Sequence, residues 1–204
     1  MKKLFTILAS GLLILNGANV SAHSGAFEEG QNSVSIGYGF GTVVGALASA
    51  YKNETGYAFS GTGPIYLKYE HAITDGVGLG LNIAYAKYKF AWAFDTEDAN
   101  FQPITYAEGW ELTTMSFLAR INWHFGDSEK FDPYFGVGLG YRTGSWKWTT
   151  TDPSGTQGLS AANVVPFGFE TTVGARYLFT DNIGAYAELG IAKSVLQVGL
   201  NFKF

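Results

Sequence analysis

From Ser33 onward the chain alternates. Val34, Ile36, Tyr38 and Phe40 are apolar, and Ser33, Ser35, Gly37, Gly39 and Gly41 lie between them, the two-residue period of a β-strand with one apolar face. The period returns along the chain. Ile65, Leu67, Tyr69 and Ile73 oppose Tyr66, Lys68 and Glu70, and the apolar positions from Val77 to Tyr85 oppose Gly78, Gly80, Asn82 and Ala84. Met115, Phe117, Ala119, Ile121, Trp123 and Phe125 oppose Ser116, Arg120, Asn122 and His124, and Phe135 to Tyr141 alternates with Gly136, Gly138, Gly140 and Arg142. Phe167–Phe179, Ile183–Ile191 and Leu196–Phe204 repeat the pattern and bring the expected count to eight strands.

The connections alternate in length. Those at Asp75-Gly76, at Gly126–Asp132 with Ser128 between, and at Thr180-Asp181-Asn182 are short, and Asp-Gly between alternating segments is a strong hairpin signal. The stretches 46–62, 95–107 and 149–163 read as long polar loops, whereas the connection at Lys193-Ser194 is short. Short turns on one side and long loops on the other are the asymmetry of a membrane barrel, with both termini on the periplasmic side. The expected fold is all-β, an eight-stranded antiparallel up-and-down transmembrane β-barrel.

A soluble β-sandwich also alternates, but its polar face is the wet outside. Here the polar face is rich in Gly and Ala with a few isolated charges, which suits the narrow interior of a small barrel. The aromatics on the apolar face fall into two groups. Tyr69, Trp123, Phe125, Phe135, Tyr177, Phe179 and Phe202 lie near the inferred periplasmic ends, and Phe40, Tyr85, Tyr141 and Phe167 near the other ends. They read as the two interfacial girdles of a membrane barrel.

The N-terminus adds a compartment. Lys2 and Lys3 precede an apolar run from Leu4 to Leu15 and the small residues Val20-Ser21-Ala22. That layout reads as a signal peptide over 1–22, with the barrel domain over 23–204. Removing it leaves 11 basic against 17 acidic side chains, a formal charge of −6, so no nucleic-acid partner is expected. With no cysteine in the chain, closure rests on backbone pairing and burial alone.

The segment Gly174-Ala-Arg-Tyr-Leu-Phe-Thr-Asp-Asn-Ile-Gly-Ala-Tyr-Ala-Glu-Leu-Gly190, followed by Val198-Gly-Leu-Asn-Phe-Lys-Phe204, resembles the end of the small outer-membrane β-barrel domain family of OmpX-like and OmpA-barrel-like proteins. Trp123-His-Phe-Gly-Asp127 with Lys130-Phe-Asp-Pro-Tyr-Phe-Gly136 is similar to the central hairpin of the OmpW family. The resemblance covers most of 32–204. It implies a Gram-negative outer-membrane location among lipids and lipopolysaccharide, and assembly by the barrel-assembly machinery reading Phe202 and Phe204. The OmpA-like peptidoglycan-binding domain is not expected to follow Phe204. For function it implies a structural or surface-interaction role in the envelope or, from the OmpW likeness, binding or passive transport of small hydrophobic molecules.

Some barrels resembling this one modify lipid A with a histidine at the outer leaflet. His23 at the mature terminus, and His71 and His124 near periplasmic turns, stand on the wrong side for that, so no enzyme, cofactor or metal site is expected. The inward charges carry more information: Lys68, Glu70, Arg120, Arg142, Glu170, Arg176, Glu188 and Lys203 are expected to pair across the lumen and close it to ions, because an unpaired buried charge is costly. Arg176 is expected to reach Glu188 diagonally, in one layer with Arg120 and Glu70. Beyond the bilayer Tyr88, Phe90, Trp92, Trp146 and Trp148 continue the inward parity and form a candidate cup for an apolar ligand.

Overall fold

The computed structural model describes residues 25–97, 100–153, 160–162 and 166–204. The expected signal peptide lies outside the described residues. Among the described residues nine strands follow one another: β1 (Asn32–Phe40), β2 (Ala58–Thr74), β3 (Val77–Glu97), β4 (Pro103–His124), β5 (Phe131–Thr150), β6 (Ser160–Ala162), β7 (Phe167–Leu178), β8 (Ile183–Ile191) and β9 (Leu196–Lys203). A short helix, α1 (Val43–Ser49), stands between β1 and β2.

Eight of these strands form a ring. Each pairs antiparallel with its neighbours in the chain, and β9 returns to β1 in register from Ser33↔Lys203 to Phe40↔Leu196. The three-residue β6 only adds to the outer part of β5, at 145–147. Over its inner part each ring strand has a partner on both sides, which a bilayer demands because it offers no alternative hydrogen-bond partner. The eight-stranded up-and-down architecture expected from the alternation is the observed one.

Polarity is reversed relative to a soluble protein. Leu81 and Leu189 are 55% and 59% exposed, whereas Glu170 and Glu188 are 1% and 2% exposed. Every aromatic assigned above to the two girdles is exposed on the outer wall. In water such a surface would drive association, and in lipid it is the required outer face.

The strands differ in length, and that difference builds the site. β1, β8 and β9 have nine, nine and eight residues, close to the span of a tilted transmembrane strand, whereas β3, β4 and β5 have 21, 22 and 20. The expected loop at 95–107 is therefore mostly strand. β3 and β4 stay in register from Val77↔Trp123 to Glu97↔Pro103 without a shift. Ring contacts such as Phe94–Tyr106, 6.1 Å between centroids, hold this outer hairpin together. The expected loop at 46–62 likewise contains most of α1 and the start of β2. Thr42 Oγ1 caps the helix by accepting from Gly45 N at 3.0 Å.

One irregularity changes which residues point inward. Between Thr62 and Ile65 of β2, Gly63 and Pro64 together oppose Ala86 of β3, a β-bulge placed where proline's missing N–H is harmless. Above it the parity of β2 flips. Phe59 pairs with Phe90 and Gly61 with Tyr88, so Phe59 joins the inner aromatic face.

Candidate functional site

Two sites occupy the barrel axis, a polar stack within the membrane-spanning ring and an apolar cup above it. In the lower part of the stack Arg176 pairs with Glu70 and lies 3.6 Å from Asp132. His124 bridges the same two acids, with Nδ1 2.7 Å from Asp132 Oδ1 and Nε2 3.0 Å from Glu70 Oε1. Both contacts are hydrogen bonds only when the ring carries both protons. Asn122 Nδ2 also donates to Glu70 Oε1 at 2.6 Å, and Phe27 stacks on the His124 ring at 3.5 Å from below.

The upper part centres on Arg120. Its Nη1 donates to Glu170 Oε1 at 2.9 Å and to Glu188 Oε2 at 3.0 Å, its Nη2 to Thr172 Oγ1 at 2.7 Å, and its Nε to Asn122 Oδ1 at 2.7 Å. Asn122 thereby joins the two halves. Tyr134 donates to Glu188 Oε1 at 2.8 Å and Asn82 to Glu170 Oε2 at 2.6 Å. Lys68 Nζ stands 2.7 Å from Glu188 Oε1, an ion pair by distance rather than an aligned hydrogen bond. The glycines of the inner wall make room for these groups. At Gly174 an added Cβ would stand 2.6 Å from the Glu188 Cγ. The cavity left between the side chains measures about 10 Å³, room for one water.

Six of the eight expected lumen charges therefore meet: Lys68, Glu70, Arg120, Glu170, Arg176 and Glu188. The other two do not. Arg142 has no ion-pair partner among the described residues, and Lys203 Nζ donates to the Gly25 carbonyl at 3.2 Å at the periplasmic mouth. The expected Arg176–Glu188 diagonal is also replaced. Arg176 does face Tyr186 across the β7–β8 ladder, but its guanidinium crosses the lumen to β2 and Glu70, leaving Glu188 to Lys68 and Arg120. His124 and Asp132 are members that the sequence reading left out. Both occupy inward positions of the same parity as Asn122 and Tyr134, the signal that marks them.

Above the stack lies the cup. Tyr88 and Phe90 on β3, Trp110 and Leu112 on β4 and Trp146 on β5 form an apolar inner wall. In register, Tyr88 faces Leu112, Leu112 faces Trp146 and Phe90 faces Trp110. Helix α1 supplies the opposite side through Val44, Leu47 and Ala48, and the cavity between measures about 380 Å³. Of the five expected cup residues, Tyr88, Phe90 and Trp146 line this cavity. Trp92 and Trp148 do not, because they stand farther out along their strands and pack on each other, 5.6 Å between ring centroids, with Trp148 4.5 Å from Trp110. Trp110 and Leu112, which the alternation assigns to no element, are additions, as are the helix residues, of which Leu47 and Ala48 fall in the expected loop at 46–62.

At the end of the chain Phe202 faces outward between Val34 of β1 and Ile183 of β8. Phe204 exchanges backbone hydrogen bonds with Asn32 at 2.9 and 3.0 Å. Among the described residues no group of three or more metal-ligating side chains comes together.

No family model and no curated protein matches the chain. Among solved structures it is similar to Ail, the attachment invasion locus protein of Yersinia pestis, in complex with the heparin analogue sucrose octasulfate: 16% identity, 86% of this chain and 99% of that chain covered, TM-score 0.48. It is also similar to the outer membrane protein OprG of Pseudomonas aeruginosa, with 12% identity, coverage of 90% and 99%, and a TM-score of 0.47. A third is the Outer Membrane Protein W of E. coli, with 16% identity, coverage of 87% and 99%, and a TM-score of 0.41. By its own closed ring, its apolar outer wall and its charged interior, this chain is a small transmembrane β-barrel of the outer-membrane type.

Proposed function

We propose that the protein resides in the outer membrane of a Gram-negative cell and captures small apolar molecules in its outer cup, above a lumen closed by the ion-pair stack. The observation that carries this reading is the cavity of about 380 Å³ between α1 and the inner wall. Its volume and apolar lining suit a small ligand. A wall of Trp, Phe, Tyr and Leu facing an aqueous mouth is costly unless something apolar covers it.

The stack below supports closure. Its remaining space of about 10 Å³ admits no ligand of the cup's size, so passage straight down the axis requires the ion pairs to part. The signal peptide over 1–22, contact with lipopolysaccharide, and recognition of Phe202 and Phe204 by the barrel-assembly machinery belong to the same reading. So does the absence of an enzymatic role: His71 is bonded to Asn32 at 3.0 Å, and His124 is held inside the stack.

The test is equilibrium binding of an apolar fluorescent probe to the folded barrel, alongside planar-bilayer conductance. Binding abolished in Trp146→Ala with the barrel still heat-modifiable, together with near-zero conductance, is the expected result. Equal binding by wild type and variant favours a structural or adhesive role instead, and steady open-channel current overturns the closed lumen.

A further inference from the structure

Between the ion-pair stack and the cup, the inner wall carries two cations that no described carboxylate neutralises. Arg142 of β5 projects inward opposite Ser116 of β4. Its Nε is shut off from solvent and has no hydrogen-bond partner. Lys193, in the short β8–β9 turn, reaches across the mouth so that its Nζ donates to Thr114 Oγ1 at 2.9 Å. The Thr114 hydroxyl in turn donates to the Thr143 carbonyl at 2.9 Å, which fixes its lone pairs toward the ammonium. Burial and the neighbouring Arg142 together pull the Lys193 ammonium down to about 7.

Within the ion-pair stack below them the described cations are matched. Lys68, Arg120 and Arg176 each contact at least one acid. Two like charges partly withdrawn from water without a counter-charge are costly, and an anion bound between them offsets that cost. Their position gives the anion a neighbour. Thr114 is the inward residue immediately below Leu112, about 7 Å along the strand, and Leu112 lines the cup beside Trp146.

We propose that Lys193 and Arg142 form the anion-binding end of the cup, so that the preferred ligand is an amphiphile with one carboxylate head and an apolar tail. The carboxylate accepts from the ammonium and the guanidinium, while the tail rises past Leu112 between α1 and the tryptophans. This inference rests on the reading of the cup as an apolar ligand site and names the ligand class for it.

Undecanoate and undecanol, matched in tail length, separate the two ideas when titrated calorimetrically into the folded barrel held in a non-ionic amphipol. Wild type is expected to bind undecanoate roughly tenfold or more tighter than undecanol, the effect of a charge-assisted contact. Lys193→Met and Arg142→Met should each remove most of that preference while leaving undecanol affinity unchanged. Equal affinity for the two probes in wild type, with undecanol still bound, overturns the anion end and leaves the cup standing. A preference that survives in both variants also overturns it. Failure of both probes to bind wild type overturns the cup itself, and the anion end with it.

Discussion

Gly136 leaves the space that the Arg120 guanidinium fills. A Cβ on Gly136 would collide with Arg120 Nη2 and Asn122 Oδ1, the groups that join the two halves of the stack. Gly136→Ala is therefore expected to destabilise the barrel by about 1–3 kcal/mol, the usual cost of overpacking. Gly76→Ala is the control. There an added Cβ meets only the His124 carbonyl, at an ordinary 3.5 Å, and the change should be nearly neutral. Urea midpoints read from heat-modifiable gel migration compare the two.

Glu188 serves three partners at once. Lys68, Arg120 and Tyr134 all converge on its carboxylate at 2.7–3.0 Å. Glu188→Gln leaves two cations short of charge in a dry interior, a loss on the order of 3–5 kcal/mol when a buried pair is broken. Adding Lys68→Met to that variant should recover part of the loss, since it removes one of the orphaned cations. A strictly additive double variant would show that Lys68 and Glu188 do not act together. Ion leakage in planar bilayers is expected to rise in the single variant, as water enters to solvate Lys68.

Cup and outer stack are separable by mutation. Trp110 lines the cavity while Trp92 packs on Trp148 beyond it. Trp110→Ala should weaken binding of an apolar probe about tenfold, in keeping with the loss of a large apolar contact. Trp92→Ala should leave binding within about twofold on the same scale. Equal losses in both variants would place the ligand farther out, against the Trp92–Trp148 pair.

The ring and its inner parity were legible because alternation with period two fixes which side chains share a face. Which charge meets which was not. Arg176 is two ladder positions from Glu188 on β8, so local geometry favours that pair. The true partner, Glu70, lies across the bore on β2, and no neighbour rule along a hairpin reports a contact through the lumen. Asp132 was lost for another reason. Asp next to Pro133 after a run of polar residues has turn chemistry, yet it is already in register with Arg176 on β7.

The cup was half legible for a similar reason. Lys87 and Lys89 break the outer apolar face of β3 and Glu111 that of β4, so the outward alternation gives no sign of a strand around Trp110 and Leu112. On the outer wall these three charges instead form a cross-strand cluster, with Lys87–Glu111 at 2.8 Å and Lys89–Glu111 at 3.3 Å. They allow the strands to continue into water while the opposite face stays apolar. Helix α1 spans only seven residues, too short for a helical period to emerge.

Lys193 makes stability depend on pH in a direction opposite to that of a paired lysine. Burial and Arg142 hold it at about 7 in the folded barrel, against an ordinary 10.5 in an unfolded chain. Below about 7 both states carry the proton, and the native state bears the full cost of a charge withdrawn from water beside another cation. Between those two values the unfolded chain binds more protons, so stability rises with pH and the cost is gone above the upper one. Lys193→Met removes the charge altogether. Its urea midpoint should exceed that of wild type at about pH 6, and the gap should close as the pH approaches about 10.5. Arg142→Met tests the cause, since it relieves only the repulsion and should give a smaller gain over the same range. A Lys193→Met advantage independent of pH would show that the ammonium is not held low in the mouth of the barrel.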